Sequence, residues 1–168
     1  MSDKIYNVLF LCTGNSARSV IAECVLNRVG NGRFQAFSAG SAPKGEIHPV
    51  ASQTLSDAGY PIEELRSKSW DEFAKPDSPV IDFVITLCDN AARETCPVWL
   101  GPALRAHWGM PDPAAEEDVD GKQQIAFAKT LAVLTGRLSA FANLETETLE
   151  SQGIGYLLAQ MGHSDSSG

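Results

Sequence analysis

Residues 5 to 19 constrain the fold most, because a short apolar run passes through a glycine-containing loop straight into a helically spaced segment. Ile5 to Leu11 is rich in Val, Leu, Ile and aromatic residues and ends at that loop, so it reads as a buried strand. From Ser19 to Val29 the residues Val20, Ile21, Cys24, Val25 and Arg28 fall near one stripe, with Glu23 and Asn27 off it, which predicts a helix. Gly30-Asn31-Gly32 stops that helix, and Phe34 to Ser38 then predicts a second strand ending at Ala39-Gly40. The alternation continues: a helix over Pro49 to Asp57 closed by Gly59, a short helix over Trp70 to Ala74, and a strand over Val80 to Leu87, the strongest in the chain. That strand is apolar on both faces, as an interior parallel strand should be. Leu104 to Trp108 predicts a fourth strand, and Ile125 to Leu144 a long packing helix carrying Ile125, Phe127, Ala128, Leu131, Leu134, Leu138 and Phe141. Such an order implies an α/β fold, a four-stranded parallel sheet with helices on both faces. Sites in sheets of this kind sit at the carboxyl ends of the strands. Cys12 ends the first strand, Cys88 ends the strongest one, and Asp112 follows the fourth, so three chemically suggestive segments are expected on one edge.

The 168 residues show no composition break and no internal repeat, so residues 1–150 are read as one domain and 151–168 as a C-terminal tail. The tail carries Gly153, Gly155 and the run Ser164-Asp165-Ser166-Ser167-Gly168, and its end is expected to be disordered. A net charge of -8 is a poor surface for nucleic acid or anionic membranes, and excludes those partner classes from the reading. No apolar stretch reads as long enough to span a bilayer, and the N-terminal apolar run, Val8 to Leu11, is too short for a secretory signal. The expected location is therefore cytoplasmic, where the four cysteines are expected as thiols. Their spacing is not that of a zinc site, and no metal or organic cofactor is expected.

The segment Cys12-Thr13-Gly14-Asn15-Ser16-Ala17-Arg18-Ser19 carries the chemistry. A loop joining a strand to a helix turns its backbone N–H groups toward a common centre, and the helix N-terminus adds positive partial charge there. Arg18 supplies a planar, permanently charged fork that grips two oxygens of a tetrahedral oxyanion. Gly14 allows tight turning, Asn15 and Ser16 can hold the loop by local hydrogen bonds, and the Ser19 hydroxyl can donate to the Cys12 sulfur. All of these favour the thiolate form of Cys12, the nucleophilic form. Cys12 is thus the expected nucleophile and Thr13 to Ser19 the expected oxyanion-binding loop. The plain alternative is a buried thiol at a strand end.

The pattern Cys-Thr-Gly-Asn-Ser-x-Arg-Ser resembles the loop of the low-molecular-weight tyrosine phosphatase superfamily. The resemblance extends through Ser38-Ala39-Gly40, Val84-Ile85-Thr86-Leu87-Cys88 and His107-Trp108-Gly109 to Asp112-Pro113, over about residues 5 to 144. It implies a small four-stranded parallel sheet, with Asp112 as the general acid that protonates a leaving oxygen. Within that superfamily, Cys88-Asp89-Asn90 through Cys96-Pro97 resembles the redox segment of the thioredoxin-coupled arsenate reductases. What the resemblance implies is reduction of arsenate to arsenite: attack by Cys12, then a Cys12–Cys88 disulfide, then a Cys88–Cys96 disulfide. An external dithiol protein, thioredoxin or glutaredoxin, would reduce the last of these.

The rival within the superfamily is a phosphatase acting on phosphotyrosine or a small phosphomonoester. Its members usually follow Asp-Pro with aromatics that clamp an aryl ring; here Ala114 and Ala115 follow, which fits a small inorganic anion better, although Trp70 or Trp99 could serve instead. A rival from another class is a non-catalytic oxyanion-binding or redox-sensing protein. Position 17 is Ala, where some family reductases carry an additional Cys. A subset of these enzymes binds potassium through residues matching Asn15, Glu23 and Ser38. The fourth matching position falls near Trp70, beside Asp71, a departure that leaves a potassium site open. Cys24 reads as a core thiol, His48 as a helix-entry residue, and His107 as either a buttress for Asp112 or a packed core histidine.

Overall fold

The computed structural model describes residues 4–88 and 103–162. Strands β1 (Tyr6–Cys12), β2 (Phe34–Gly40), β3 (Phe83–Thr86) and β4 (Leu104–His107) form one sheet in the order β2-β1-β3-β4. Every pairing is parallel. The register sets Cys12 beside Gly40, Leu11 beside Thr86, and Thr86 beside His107, so the carboxyl ends line up along one edge. After β1 the chain runs outward to β2, and later returns to the other side of β1 as β3. The Cys12 loop therefore lies where the strand order reverses, the place where open α/β sheets bind their ligands.

Alternation along the strands divides the core in two. Val8 and Phe10 of β1, Phe34 and Ala36 of β2, and Phe83 and Ile85 of β3 face one side. The helices α1 (Arg18–Val29), α2 (Pro49–Asp57) and α3 (Lys122–Ala142) cover that side. Leu9, Leu11, Ala39 and Val84 face the other, where the 3-10 helix Trp70–Ala74 packs through Trp70 and Phe73. Phe127, Leu134, Leu138 and Phe141 of α3 are fully buried, and each contributes about 1.5–3 kcal/mol of hydrophobic stabilisation. Helix α2 begins with Pro49 at its first turn, and the His48 Nδ1 accepts the Val50 N–H, so His48 is a helix-entry residue.

Several sequence expectations shift in detail. Ile5 is 52% exposed and β1 begins at Tyr6; Val80 is 76% exposed and the strand read from it is only Phe83–Thr86. Ile125 is 67% exposed, because the buried stripe of α3 runs through Phe127, Leu134, Leu138 and Phe141, and a residue two places before Phe127 points away from it. On α1 the buried face is Val20, Ile21, Ala22, Val25 and Leu26, leaving Cys24 half-buried on its flank and Arg28 exposed. By length and composition α3 could cross a bilayer, contrary to the reading of the sequence, but its apolar stripe is spent on α1 and α2.

The largest difference concerns the segment read as a tail. It contributes α5 (Ile154–Met161), with Ile154 and Leu158 buried in the main core; just before it, within the part read as the domain, α4 (Thr146–Leu149) buries Leu149 in the same core. The apolar spacing Ile154, Leu157, Leu158 and Met161 is that of a packed helix, which the glycines on either side conceal. The expected disorder at the chain end falls on residues outside those described.

Candidate active site

Strand β1 delivers Cys12 to the sheet edge with its side chain nearly buried, and the loop from Thr13 leads into α1 at Arg18. Ala17 occupies the N-cap position of α1 and forms no side-chain cap. An uncapped N-terminus costs about 1 kcal/mol relative to a Ser, Asp or Asn cap. The missing acceptor is one that a bound oxyanion can supply, since helix N-termini and converging N–H groups attract anions.

The loop is held from both sides. Its Thr13, Gly14 and Ser16 carbonyls accept the backbone N–H groups of Ala42, Lys44 and His48 at 3.0, 3.0 and 2.9 Å. The Ser67 hydroxyl donates to the Gly14 carbonyl at 3.1 Å. The left-handed residue of the loop is Asn15, at φ 45, and not Gly14. Asn15 tolerates that conformation and anchors it: its Oδ1 accepts the Lys68 N–H at 2.8 Å and its Nδ2 donates to the Ser19 Oγ at 2.8 Å. The Ser19 Oγ lies 2.9 Å from the Cys12 Sγ. With Cys12 as a thiolate the sulfur has no proton to give, and the Ser19 hydroxyl is then the donor of this pair. The expected Ser19–Cys12 contact is therefore present, together with the side chain that orients it.

Gly40 makes this closeness possible. A Cβ there would lie 2.3 Å from the Thr13 carbonyl oxygen and 2.8 Å from that of Cys12, both rigid backbone. A glycine at a strand end is the sequence signal for such an approach.

Arg18 is mostly buried, and its Nη1 donates to the Met110 carbonyl at 3.0 Å. Its Nη2 lies 3.8 Å from Asp112 Oδ2, within ion-pair range but too long for a hydrogen bond. Asp112 is half-exposed, and its Oδ1 accepts the Ala114 N–H at 2.9 Å, opening the 3-10 turn Pro113–Ala115. The guanidinium thus joins the Cys12 loop to the segment after β4, with a carboxyl group beside it.

Cys88 comes in from β3, two residues past Thr86. Cys12 and Cys88 are 4% and 7% exposed and pack together as a small buried cluster of their own. The Thr13 Oγ1 lies 3.6 Å from the Cys88 Sγ. Cys88 therefore places a second thiol against the Cys12 side chain. Cys96 lies outside the described residues, as do Asn90, Arg93 and Trp99. His107 is exposed, with its Nδ1 2.8 Å from the Thr86 hydroxyl, so it is not a buried core histidine.

Lys68 is a site residue that sequence patterning does not reveal. The Ser38 hydroxyl donates to Glu23 Oε1 at 2.7 Å, and the largely buried Lys68 Nζ stands 3.8 Å from the same oxygen. A fixed ammonium is therefore placed beside Glu23 and Ser38, where the resemblance allows for potassium. Burial pushes the Lys68 ammonium below its usual range, with Glu23 opposing that shift. Cys24 has a different fate: burial, then the adjacent Glu23, push its thiol up to about 12, which makes it an inert thiol at neutral pH. It lines a cleft of about 590 Å³ with Arg28 and Tyr60 that includes no residue of the Cys12 loop.

Comparison with known proteins bears on this geometry. Residues 7–153 match the family model of the low molecular weight phosphotyrosine protein phosphatases. An arsenate reductase of Halalkalibacterium halodurans is 33% identical over 135 residues, covering 80% of this chain and 94% of the relative. The crystal structure of an arsenate reductase from Archaeoglobus fulgidus superposes with a TM-score of 0.65 at 23% identity, over 82% of this chain and 99% of that one. A thioredoxin-dependent arsenate reductase of Corynebacterium glutamicum superposes with a TM-score of 0.60 at 25% identity, over 84% of this chain and 62% of that one. With the loop, the strand order and these matches in agreement, the chain belongs to the low molecular weight phosphotyrosine protein phosphatase family.

Proposed function

We propose that this protein reduces arsenate to arsenite through Cys12, Cys88 and Cys96, and that an external dithiol protein, thioredoxin or glutaredoxin, restores it. The observation that carries the reading is the second thiol, Cys88, packed against the Cys12 nucleophile. Hydrolysis of a phosphate ester has no use for it, whereas a two-electron reduction requires it. The curated relatives named arsenate reductase support the substrate, and the thioredoxin-dependent structural neighbour supports the reductant.

In this mechanism the loop N–H groups of Thr13 to Ser19 and the Arg18 guanidinium hold arsenate with its arsenic in line with the Cys12 sulfur. Cys12 thiolate attacks, an S–As bond forms, and the departing oxygen takes a proton from Asp112 and leaves as water. Cys88 thiolate then attacks the Cys12 sulfur. The new S–S bond replaces the S–As bond, whose electron pair stays on arsenic, and As(V) leaves as As(III) in arsenite. Cys96 thiolate attacks Cys88, freeing Cys12 and leaving a Cys88–Cys96 disulfide, which the external dithiol reduces by exchange.

The second reading is hydrolysis of a phosphomonoester, favoured by the same Arg18–Asp112 pairing and the family to which the chain belongs. Arsenate-dependent NADPH oxidation, coupled through thioredoxin and its reductase or through glutaredoxin, separates the two. Turnover in the wild type, lost in Cys12→Ser, Cys88→Ser and Cys96→Ser, is the expected result. Hydrolysis of an aryl phosphate that needs Cys12 alone, without arsenate turnover from either carrier, would replace the reductase with a phosphatase.

A further inference from the structure

Helix α5, Ile154–Met161, begins where the family match ends at residue 153, and nothing in the chemistry above uses it. Yet it packs against β4, the strand that leads to Asp112. The link is Trp108. Its ring is fully buried, and its indole N–H donates to the Leu158 carbonyl in the middle of α5 at 2.8 Å. At the end of the helix Gly162 comes so close that a Cβ would lie 2.7 Å from the Trp108 Cδ1 and 3.1 Å from the His107 carbonyl oxygen. On the inner side the ring meets Phe141 of α3 edge-on at 6.3 Å.

Trp108 is also the first residue of the segment that completes the site. Its own N–H continues the sheet by donating to the Thr86 carbonyl at 2.8 Å, and the Met110 N–H reaches the Leu87 carbonyl at 3.2 Å. Two residues from Trp108, the Met110 carbonyl receives Arg18; two further on stands Asp112. A buried indole N–H left without an acceptor costs about 1–3 kcal/mol, so the ring is tightly bound to the position of α5.

We propose that α5 is a positioning element for the acid segment: by holding Trp108 it fixes the backbone that aims Met110 at Arg18 and places the Asp112 carboxyl at the loop. Trp108 is accordingly a positioning residue, not a catalytic one. The proposal rests on the assignment of Asp112 as general acid made above, and adds an element outside the family match to the machinery of the site.

The test is a double-mutant cycle in the full-length chain. Trp108→Phe keeps a ring in place and removes the N–H; Gly162→Ala drives a methyl group into the ring from the α5 side. Each is made alone and with Asp112→Asn. The kcat/KM for arsenate is measured well below the melting temperature of every variant, with p-nitrophenyl phosphate hydrolysis measured in parallel. Residues that act as one unit couple strongly, so each change is expected to lower kcat/KM about fivefold in the presence of Asp112 and less than about twofold in its absence. Equal losses in both backgrounds, or a lowered melting temperature with unchanged kcat/KM, would overturn the positioning role. Failure of arsenate turnover alone, with the coupling intact for p-nitrophenyl phosphate, would count against the reductase and leave the role of α5 standing. An Asp112→Asn variant as active as wild type on both substrates would remove the acid assignment and this proposal together.

Discussion

At the level of single residues, Ser19 connects the Cys12 sulfur to the rest of the loop: its Oγ accepts from Asn15 and stands 2.9 Å from the sulfur, to which it donates once Cys12 is a thiolate. A hydrogen bond to a charged group is worth about 1.5–3 kcal/mol, so Ser19→Ala is expected to slow alkylation of Cys12 by iodoacetamide at neutral pH about tenfold. Peptide mapping checks this, and Cys24 gives an internal reference: its thiol, pushed up to about 12 by burial, should stay unmodified in the same samples. The Cys12, Arg18 and Ser19 pattern was legible because all three lie within one short segment whose spacing carries the chemistry. Lys68 was not, because its link to Asn15 runs through a backbone N–H and its side chain meets Glu23 from another part of the chain. Contacts of that kind leave no periodic trace. A glycine beside an asparagine in a tight loop invites the glycine to take the left-handed conformation, but Asn15 takes it, and its amide bonds on both sides fix it there.

At the level of elements, the end of β2 sets the height of the Cys12 loop. Gly40→Ala would push a methyl group into the Thr13 and Cys12 carbonyl oxygens, and should destabilise the fold by about 1–3 kcal/mol while displacing the loop. Urea unfolding reads the first effect, and protection of Cys12 from alkylation by inorganic phosphate reads the second. Gly153→Ala, where an added Cβ meets nothing and the residue only caps α5, is the control for the second effect and should leave the phosphate protection unchanged. Strand and helix identities were legible from periodicity, with ends displaced by a few residues. The β3 run Val80 to Leu87 reads as one strand because most of its residues are β-branched or aromatic, but only Phe83–Thr86 finds a partner on each side. Helix α5 was hidden because its two-turn stripe is too short to stand out between Gly153 and Gly162. Only packing against Trp108 shows its value.

At the scale of the whole molecule, the C-terminal part of the chain closes onto the first strand. The Tyr6 hydroxyl donates to Glu150 Oε2 at 2.6 Å, joining the start of β1 to the turn before α5. Burial, then the hydrogen bond to Glu150, push the Tyr6 hydroxyl up to about 12. A folded-state value above the unfolded one favours the protonated fold. Its contribution is therefore complete below about pH 10 and is lost as the pH rises toward about 12. Urea unfolding across that window should show stability falling in the wild type and a shallower fall in Tyr6→Phe. The proposed relay depends on the fold in the same long-range manner: Cys12 and Cys88 are far apart in the chain and adjacent only because β3 pairs with β1. The most direct test of the relay uses Cys96→Ser, which should halt it after one turnover. Mixed with arsenate and mapped under non-reducing conditions, this variant is expected to release one arsenite per chain and to accumulate a Cys12–Cys88 disulfide. Arsenite released while Cys88 remains a free thiol would contradict the relay.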